Sequence, residues 1–178
     1  MTTTDILMIG AGNTGCRLVK EYQNRNPGKA CVFSFQDQEP FTAPEVILRD
    51  APACTIIVAG LGGNAGSTFT PEISKHAKQH GRVFAVITLP FPFEMQRRAR
   101  AMEALARLEE HVEELFVTDL GKVLESVPRS ANTGEVMHDV NEKILDALYA
   151  LYEAHQKDHG FSVDAIRDKL PQGFIEVK

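Results

Sequence analysis

The order of elements along the chain predicts an α/β domain of three layers, a doubly wound parallel sheet of about five strands in the order 2-1-3-4-5 between two helical layers. Short apolar runs alternate with stretches of helical periodicity from one end to the other. The run Cys54–Ala59 is apolar without interruption, as expected of a strand buried on both faces of a parallel sheet. Right-handed crossovers then favour a doubly wound order, and in such a sheet ligands bind where the loops after strands 1 and 3 part.

The elements follow in sequence. Asp5–Ile9 reads as the first strand, and Leu18, Val19 and Tyr22 give helical spacing up to the breaker Asn26-Pro27-Gly28. Ala30–Phe35 is the second strand, and residues 36–52 form a polar link with a helical turn at Pro44–Leu48. After the third strand, Cys54–Ala59, a glycine-rich stretch leads to a helix expected to begin near Pro71 and to stop before Gly81. Arg82–Thr88 is the fourth strand, ended by Leu89-Pro90-Phe91-Pro92, and a charged helix runs from about Phe93 to Glu110. Leu115–Thr118 is the fifth strand, followed by one or two helical turns to about Glu125. Val136, Val140, Ile144, Leu145, Leu148 and Leu151 mark a long helix over Gly134–Lys157. A short helix near Val163–Leu170 and a tail complete the chain, giving a domain at 1–170 and a tail at 171–178.

Length and composition narrow the function classes. A chain of 178 residues with 43% hydrophobic and 24% charged residues suits one globular domain with a real core. Its net charge of −5 counts against nucleic acid as a partner. No apolar run has the length of a membrane span, and Met1–Gly12 lacks the pattern of a secretory leader, so a cytoplasmic protein is expected. Cys16, Cys31 and Cys54 are dispersed without a C-x-x-C pair and read as reduced packing residues.

Two glycine loops carry the functional signal. Gly10-Ala11-Gly12-Asn13-Thr14-Gly15 is a G-x-G-x-x-G between a strand and a helix, where free N–H groups at the helix start can meet an anion. Taken alone this pattern is also compatible with an unliganded tight turn. Gly60-Leu61-Gly62-Gly63-Asn64-Ala65-Gly66-Ser67-Thr68 offers a second bare backbone, with Ser67 and Thr68 placed to cap a helix or touch a phosphate. Neither loop holds a lysine, so neither is a Walker-type site.

The second loop resembles the GGGTGTG signature of the FtsZ/tubulin family. Val86-Ile87-Thr88-Leu89-Pro90-Phe91-Pro92-Phe93-Glu94-Met95-Gln96-Arg97-Arg98 is similar to that family's VVTKPFxFEGKRR, and His111-Val112-Glu113-Glu114-Leu115 to its HVDxL. Lys122-Val123-Leu124 resembles its KLL, Asn141-Glu142-Lys143-Ile144-Leu145 its NDVL, and Gly160-Phe161-Ser162-Val163-Asp164 its GLxNVD. The matches keep the family's order from residue 5 to about 170. This resemblance implies a nucleotide-binding domain built around GTP or GDP, with Mg²⁺ as a companion, in a cytoskeletal, cell-division context. Gly10, Gly12, Asn13, Thr14 and Gly15 would line the first phosphate loop. Gly62, Gly63, Asn64, Gly66 and Ser67 would hold the β/γ-phosphates, Glu94 and Arg98 would sit by the ribose and phosphates, and Asn141 would face guanine. Asp164 would act catalytically in trans, in a neighbouring subunit's site.

Departures from the family pattern weigh against hydrolysis and filament formation more than against nucleotide binding. The first loop is shorter than GxGGGGxN, and Ala65-Gly66-Ser67-Thr68 replaces TGTG. The 36–52 link is too short for the family's γ-phosphate loop, and the C-terminal activation domain is expected to be absent. Leu120 stands where the family has a nucleotide-contacting Asn, and Arg167 where it has a second acid.

Other constellations read as ordinary structure. His76/His80 and His155/His159 are four apart without a third ligand and are expected to be exposed helix histidines, so no metal site is expected. Arg97, Arg98 and Arg100 suit either an anion grip or a solvated helix face, and Met137, Leu148 and Leu151 are core positions. Three functions stay open. The first is a guanine-nucleotide-binding protein, a weak GTPase or a non-polymerising regulator, whose partner is a second copy or an FtsZ-like polymer. The second is a Rossmann-type NAD(P) binder with Asp37 on the ribose. The third is a nucleotide-free interaction module.

Overall fold

The structure is a computed structural model and describes residues 5–28, 31–35, 48–49 and 51–178. Five parallel strands form its centre: β1 (Ile6–Ala11), β2 (Cys31–Phe35), β3 (Cys54–Gly60), β4 (Arg82–Leu89) and β5 (Glu114–Asp119). They lie in the order β2-β1-β3-β4-β5, as the sequence predicts, and a short β6 (Glu176–Val177) extends the sheet beyond β5. Ile6 and Met8 of β1 join one core while Leu7 and Ile9 join the other, the alternation that makes both faces of the strand apolar.

The helices are α1 (Gly12–Arg25), α2 (Asn64–Ala77), α3 (Met95–Glu109), α4 (Leu120–Ser126) and α5 (Thr133–Lys157). Leu18, Val19 and Tyr22 of α1 share a core with Val140, Ile144 and Leu148 of α5. Ile73 and Ala77 of α2 share the opposite core with Ala101, Leu105 and Leu108 of α3. The chain therefore leaves β1 toward one face of the sheet and leaves its neighbour β3 toward the other. This is the switch point of a doubly wound sheet. At the head of α5, Asn132 and Glu135 form a reciprocal capping box that fixes the start of this long helix.

Three expectations are corrected. α2 begins at Asn64, not near Pro71, and carries Pro71 within it. Gly62, at φ +99°, turns the chain, and the second glycine stretch becomes the first turn of the helix. The helix expected over 163–170 is two 3-10 turns, Val163–Ala165 and Arg167–Lys169, which let Phe161, Val163, Ile166 and Leu170 all face the α1/α5 core. The tail is tied to the sheet: β6 pairs antiparallel with β5, and Lys178 and Leu115 exchange backbone hydrogen bonds of 2.8 and 3.0 Å. The turn expected at Pro44–Leu48 lies outside the described residues apart from Leu48, which is buried, and Asp37 lies outside them as well.

Cys16 and Cys54 are free and buried, and burial pushes the Cys54 thiol up to about 12. No described helix is long and apolar enough to cross a membrane.

The seams between strand and helix are closed by glycines. A Cβ on Gly15 would lie 2.0 Å from the Val58 carbonyl oxygen, and one on Gly66 would lie 2.2 Å from that of Gly60. Gly63 has extended backbone at φ −82° and nothing within 4 Å of its Cβ position. Gly15→Ala and Gly66→Ala should each lower stability by about 3 kcal/mol in urea denaturation, because backbone must move to admit the methyl group. Gly63→Ala should change it by less than about 1 kcal/mol.

Candidate functional site

The carboxyl ends of β1 and β3 stand side by side, with Ala11 opposite Ala59. Each runs at once into a helix: Ala11 is the N-cap of α1 and Gly63 that of α2. Neither cap residue supplies a side-chain hydrogen bond, and neither helix has an acidic residue in its first turn. Unsatisfied N–H groups and two positive dipole ends are thus aimed at one place, which suits an anion. The two turns touch, since a Cβ on Gly12, at φ +71°, would lie 3.1 Å from the amide nitrogen of Gly66.

Beside this junction a cavity of about 360 Å³ opens over the ends of β3 and β4. Thr14, Gly60, Thr88, Glu94, Leu120 and Met137 are among the residues lining it. Its rim carries Phe91 and Phe93, stacked at 5.2 Å, of which Phe93 is 72% exposed. Thr14 stands close against Gly60, leaving 3.0 Å between its Cβ and a Cβ built on that glycine.

The expected site residues fall into distinct positions. Thr14 and Glu94 line the cavity, and Gly12, Asn13, Gly62, Gly63 and Asn64 belong to the adjoining turns. The glycine character of Gly10, Gly15 and Gly66 is accounted for by backbone contacts below 3 Å, so these three build the cradle by letting helix meet strand. Buried Ser67 accepts the Gly62 N–H at 2.7 Å and so braces its own loop. Arg100 donates to the Gly62 carbonyl at 3.2 Å and to Asn64 Oδ1 at 3.0 Å, holding the same loop from α3.

Glu94 accepts the Phe91 N–H at 3.2 Å and pairs with Arg97, which fixes the turn between β4 and α3. Arg98 donates to both carboxylate oxygens of Asp119, at 2.9 and 2.7 Å, and to the Pro90 carbonyl at 2.7 Å. This bidentate pair ties the ends of β4 and β5 together. The Arg98 guanidinium holds the Asp119 carboxyl below its ordinary value, with the Gly121 N–H adding to that effect against a desolvation cost.

Asn141 lies one helical turn beyond cavity-lining Met137, and its Oδ1 is buried without a hydrogen-bond partner in the protein. A buried amide oxygen in that state suits a ligand donor. Asp164 is at the other end of the molecule, mostly exposed and paired with Arg167 at 3.0 Å. It follows Phe161, whose carbonyl accepts from Arg82 at the first residue of β4, so it cannot reach the glycine turns of its own chain.

Sequence reasoning missed Thr88, Leu61, Phe91, Phe93, Arg97, Thr133 and Met137 as lining residues. Thr88 had a readable signal, a hydroxyl ending an apolar parallel strand at the ligand-binding edge. Met137 and Thr133 come from a helix whose packing angle is set by the whole core, and nothing local marks them. His155 and His159 correct the expectation of an exposed pair: His155 is 1% exposed, and its ring lies 4.5 Å from that of His159. No group of three potential metal ligands occurs among the described residues.

No family model matches the chain. Over 129 residues it is 34% identical to the cell division protein FtsZ of Helicobacter pylori, covering 71% of this chain and 33% of that protein. Among solved structures it superposes on an empty FtsZ dimer of M. jannaschii with a TM-score of 0.75 at 21% identity, covering 94% of this chain and 61% of the other. It superposes on a GTPγS-bound protofilament of CetZ2 from Haloferax volcanii with a TM-score of 0.66 at 16% identity, covering 85% and 59%. The chain thus spans about a third of the length of the curated relatives it matches.

The Arg98–Asp119 pair generates a pH-dependent prediction. A carboxyl held below its ordinary value stabilises the fold above that value, here 3.8, and the contribution is lost as pH falls through the folded-state value. Asp119→Asn should cost about 2 kcal/mol at neutral pH in urea denaturation. The gap between variant and wild type should close as the pH is lowered below 3.8.

Proposed function

Because this chain belongs to the FtsZ/tubulin-like family, we propose that it binds a guanine nucleotide in the crevice between the first turns of α1 and α2. The observation that carries this reading is the contact of two uncapped helix starts at the switch point, Gly12 against Gly66. Gly12, Asn13 and Thr14 from one turn and Gly62, Gly63 and Asn64 from the other would hold the phosphates through backbone N–H groups. Asn141, with its orphaned buried oxygen, would accept a donor from the base. Mg²⁺ would enter with the phosphates it neutralises.

The same geometry orders the further roles. Asp164 lies at the end opposite the glycine turns, so it could serve only a site in another molecule. A second copy, or a longer FtsZ-like polymer, is therefore the partner we propose, with a cytoplasmic role in cell division. The GTPγS-bound CetZ2 protofilament supports that choice by its fold alone. Hydrolysis would be weak, since Asp164 is paired with Arg167 and cavity-lining Leu120 offers no polar group. A regulator that binds nucleotide without polymerising fits those two features better than an efficient GTPase.

A nucleotide-free module is the second reading, favoured by the loop's own bracing through Ser67 and Arg100. Thermal unfolding with Mg²⁺ and GTP, GDP, GTPγS or NADH separates the readings. At about 100 times the dissociation constant a nucleotide adds about 2.7 kcal/mol, a Tm rise of about 5 °C or more for a chain of this size. Such a rise with guanine nucleotides is expected. A flat response to all of them favours the module, and a rise with NADH alone favours the dinucleotide reading.

A further inference from the structure

At the edge where the strands begin, opposite the glycine turns, a second and larger cavity of about 650 Å³ opens. Ala53, Gly81, Val83 and Val112 give it apolar walls, and His155 and His159 enter from the end of α5. Its size falls within the range of small-molecule sites, on the order of 300–1,000 Å³. What sets it apart is His155. The side chain is 1% exposed, it lines the cavity, and neither Nδ1 nor Nε2 has a hydrogen-bond partner in the protein. A buried imidazole left in this state is costly, because both of its polar atoms have exchanged water for nothing.

The chemistry of the surroundings selects the ligand. Two cations line the cavity, but both are already engaged. Lys78 donates to the Glu110 carbonyl at 2.7 Å, and Arg82 pairs with Glu113 at 2.7 Å while also donating to the His159 and Phe161 carbonyls. An anion would find no uncommitted charge there. Burial, with His159 and Arg82 nearby, lowers the pKa of His155 and keeps it neutral, although Asp5 acts in the opposite sense. A neutral imidazole presents one donor and one acceptor. The tilted His159 ring, 4.5 Å away, shows that a flat ring can sit beside it.

We propose that this cavity is a second ligand site, separate from the glycine crevice, which takes an uncharged planar heteroaromatic molecule recognised through a hydrogen bond to His155. Metal binding is a weaker candidate, since no three-ligand group forms among the described residues.

The test uses the full chain and azaindole as probe, a fused bicycle with one N–H donor beside one ring-nitrogen acceptor. Histidine ring nitrogens are followed by long-range proton–nitrogen correlation spectra, with His155 assigned from His155→Leu. Binding at about 1 mM or tighter should move the His155 ring signals. His155→Leu should weaken binding at least about tenfold, as expected for one lost hydrogen bond. Ala53→Trp fills the cavity from an exposed position, so it should abolish binding while leaving the fold intact. It also keeps the proposal testable if His155→Leu does not fold. The proposal is overturned if His155 signals stay fixed at saturating probe, or if Ala53→Trp binds like wild type. It is also overturned if those signals move with protein concentration alone, which would make the cavity a contact between copies. None of these outcomes depends on guanine nucleotide.

Discussion

The structure depends on how closely two helices can start against one strand. Gly15 sets the backbone of α1 against the Val58 carbonyl, and Gly66 sets that of α2 against the Gly60 carbonyl, on opposite faces of β3. No side chain can stand at either contact without moving backbone. Because both helices meet the sheet this tightly, their uncapped first turns are held within reach of each other at Gly12 and Gly66. Glycines that read as ligand contacts in the sequence thus divide into two kinds. Some shape the cradle, and others, Gly63 above all, leave open space in front of it.

The fold was legible because its signals are local and repeated. Each parallel strand is an apolar run that needs no partner to be recognised, and the long α5 announces itself by spacing. Boundaries failed where tertiary packing overrode local chemistry. Pro71 looks like a helix start, yet contact with β3 carries α2 back to Asn64. The site was legible as two loops and the residues of one resemblance, but not as a cavity. Glu94 and Arg98, adjacent in motif, have different duties: one lines the cavity while the other clamps β4 to β5 through Asp119. His155 was misread because helical spacing gives a residue's face but not what covers that face. Here the chain beyond α5 returns across the sheet edge and encloses the ring.

The two ends of the sheet are chemically unlike. The carboxyl end offers backbone donors, helix dipoles and no acidic residue in either first turn of α1 or α2, an environment for phosphate. The amino end has its cations tied up and its histidine buried, an environment for something neutral and flat. Asp164 also sits at that second end, so any chemistry linking the two ends passes between molecules.

The central claim is that the first turns of α1 and α2 together hold one anionic group. Backbone amide shifts recorded while GTP is added in the presence of Mg²⁺ test this most directly. The amides of Gly12, Asn13 and Thr14 and those of Gly63, Asn64 and Ala65 should move along the same binding curve. Movement of only one set, or of neither while nucleotide binds elsewhere, would contradict it.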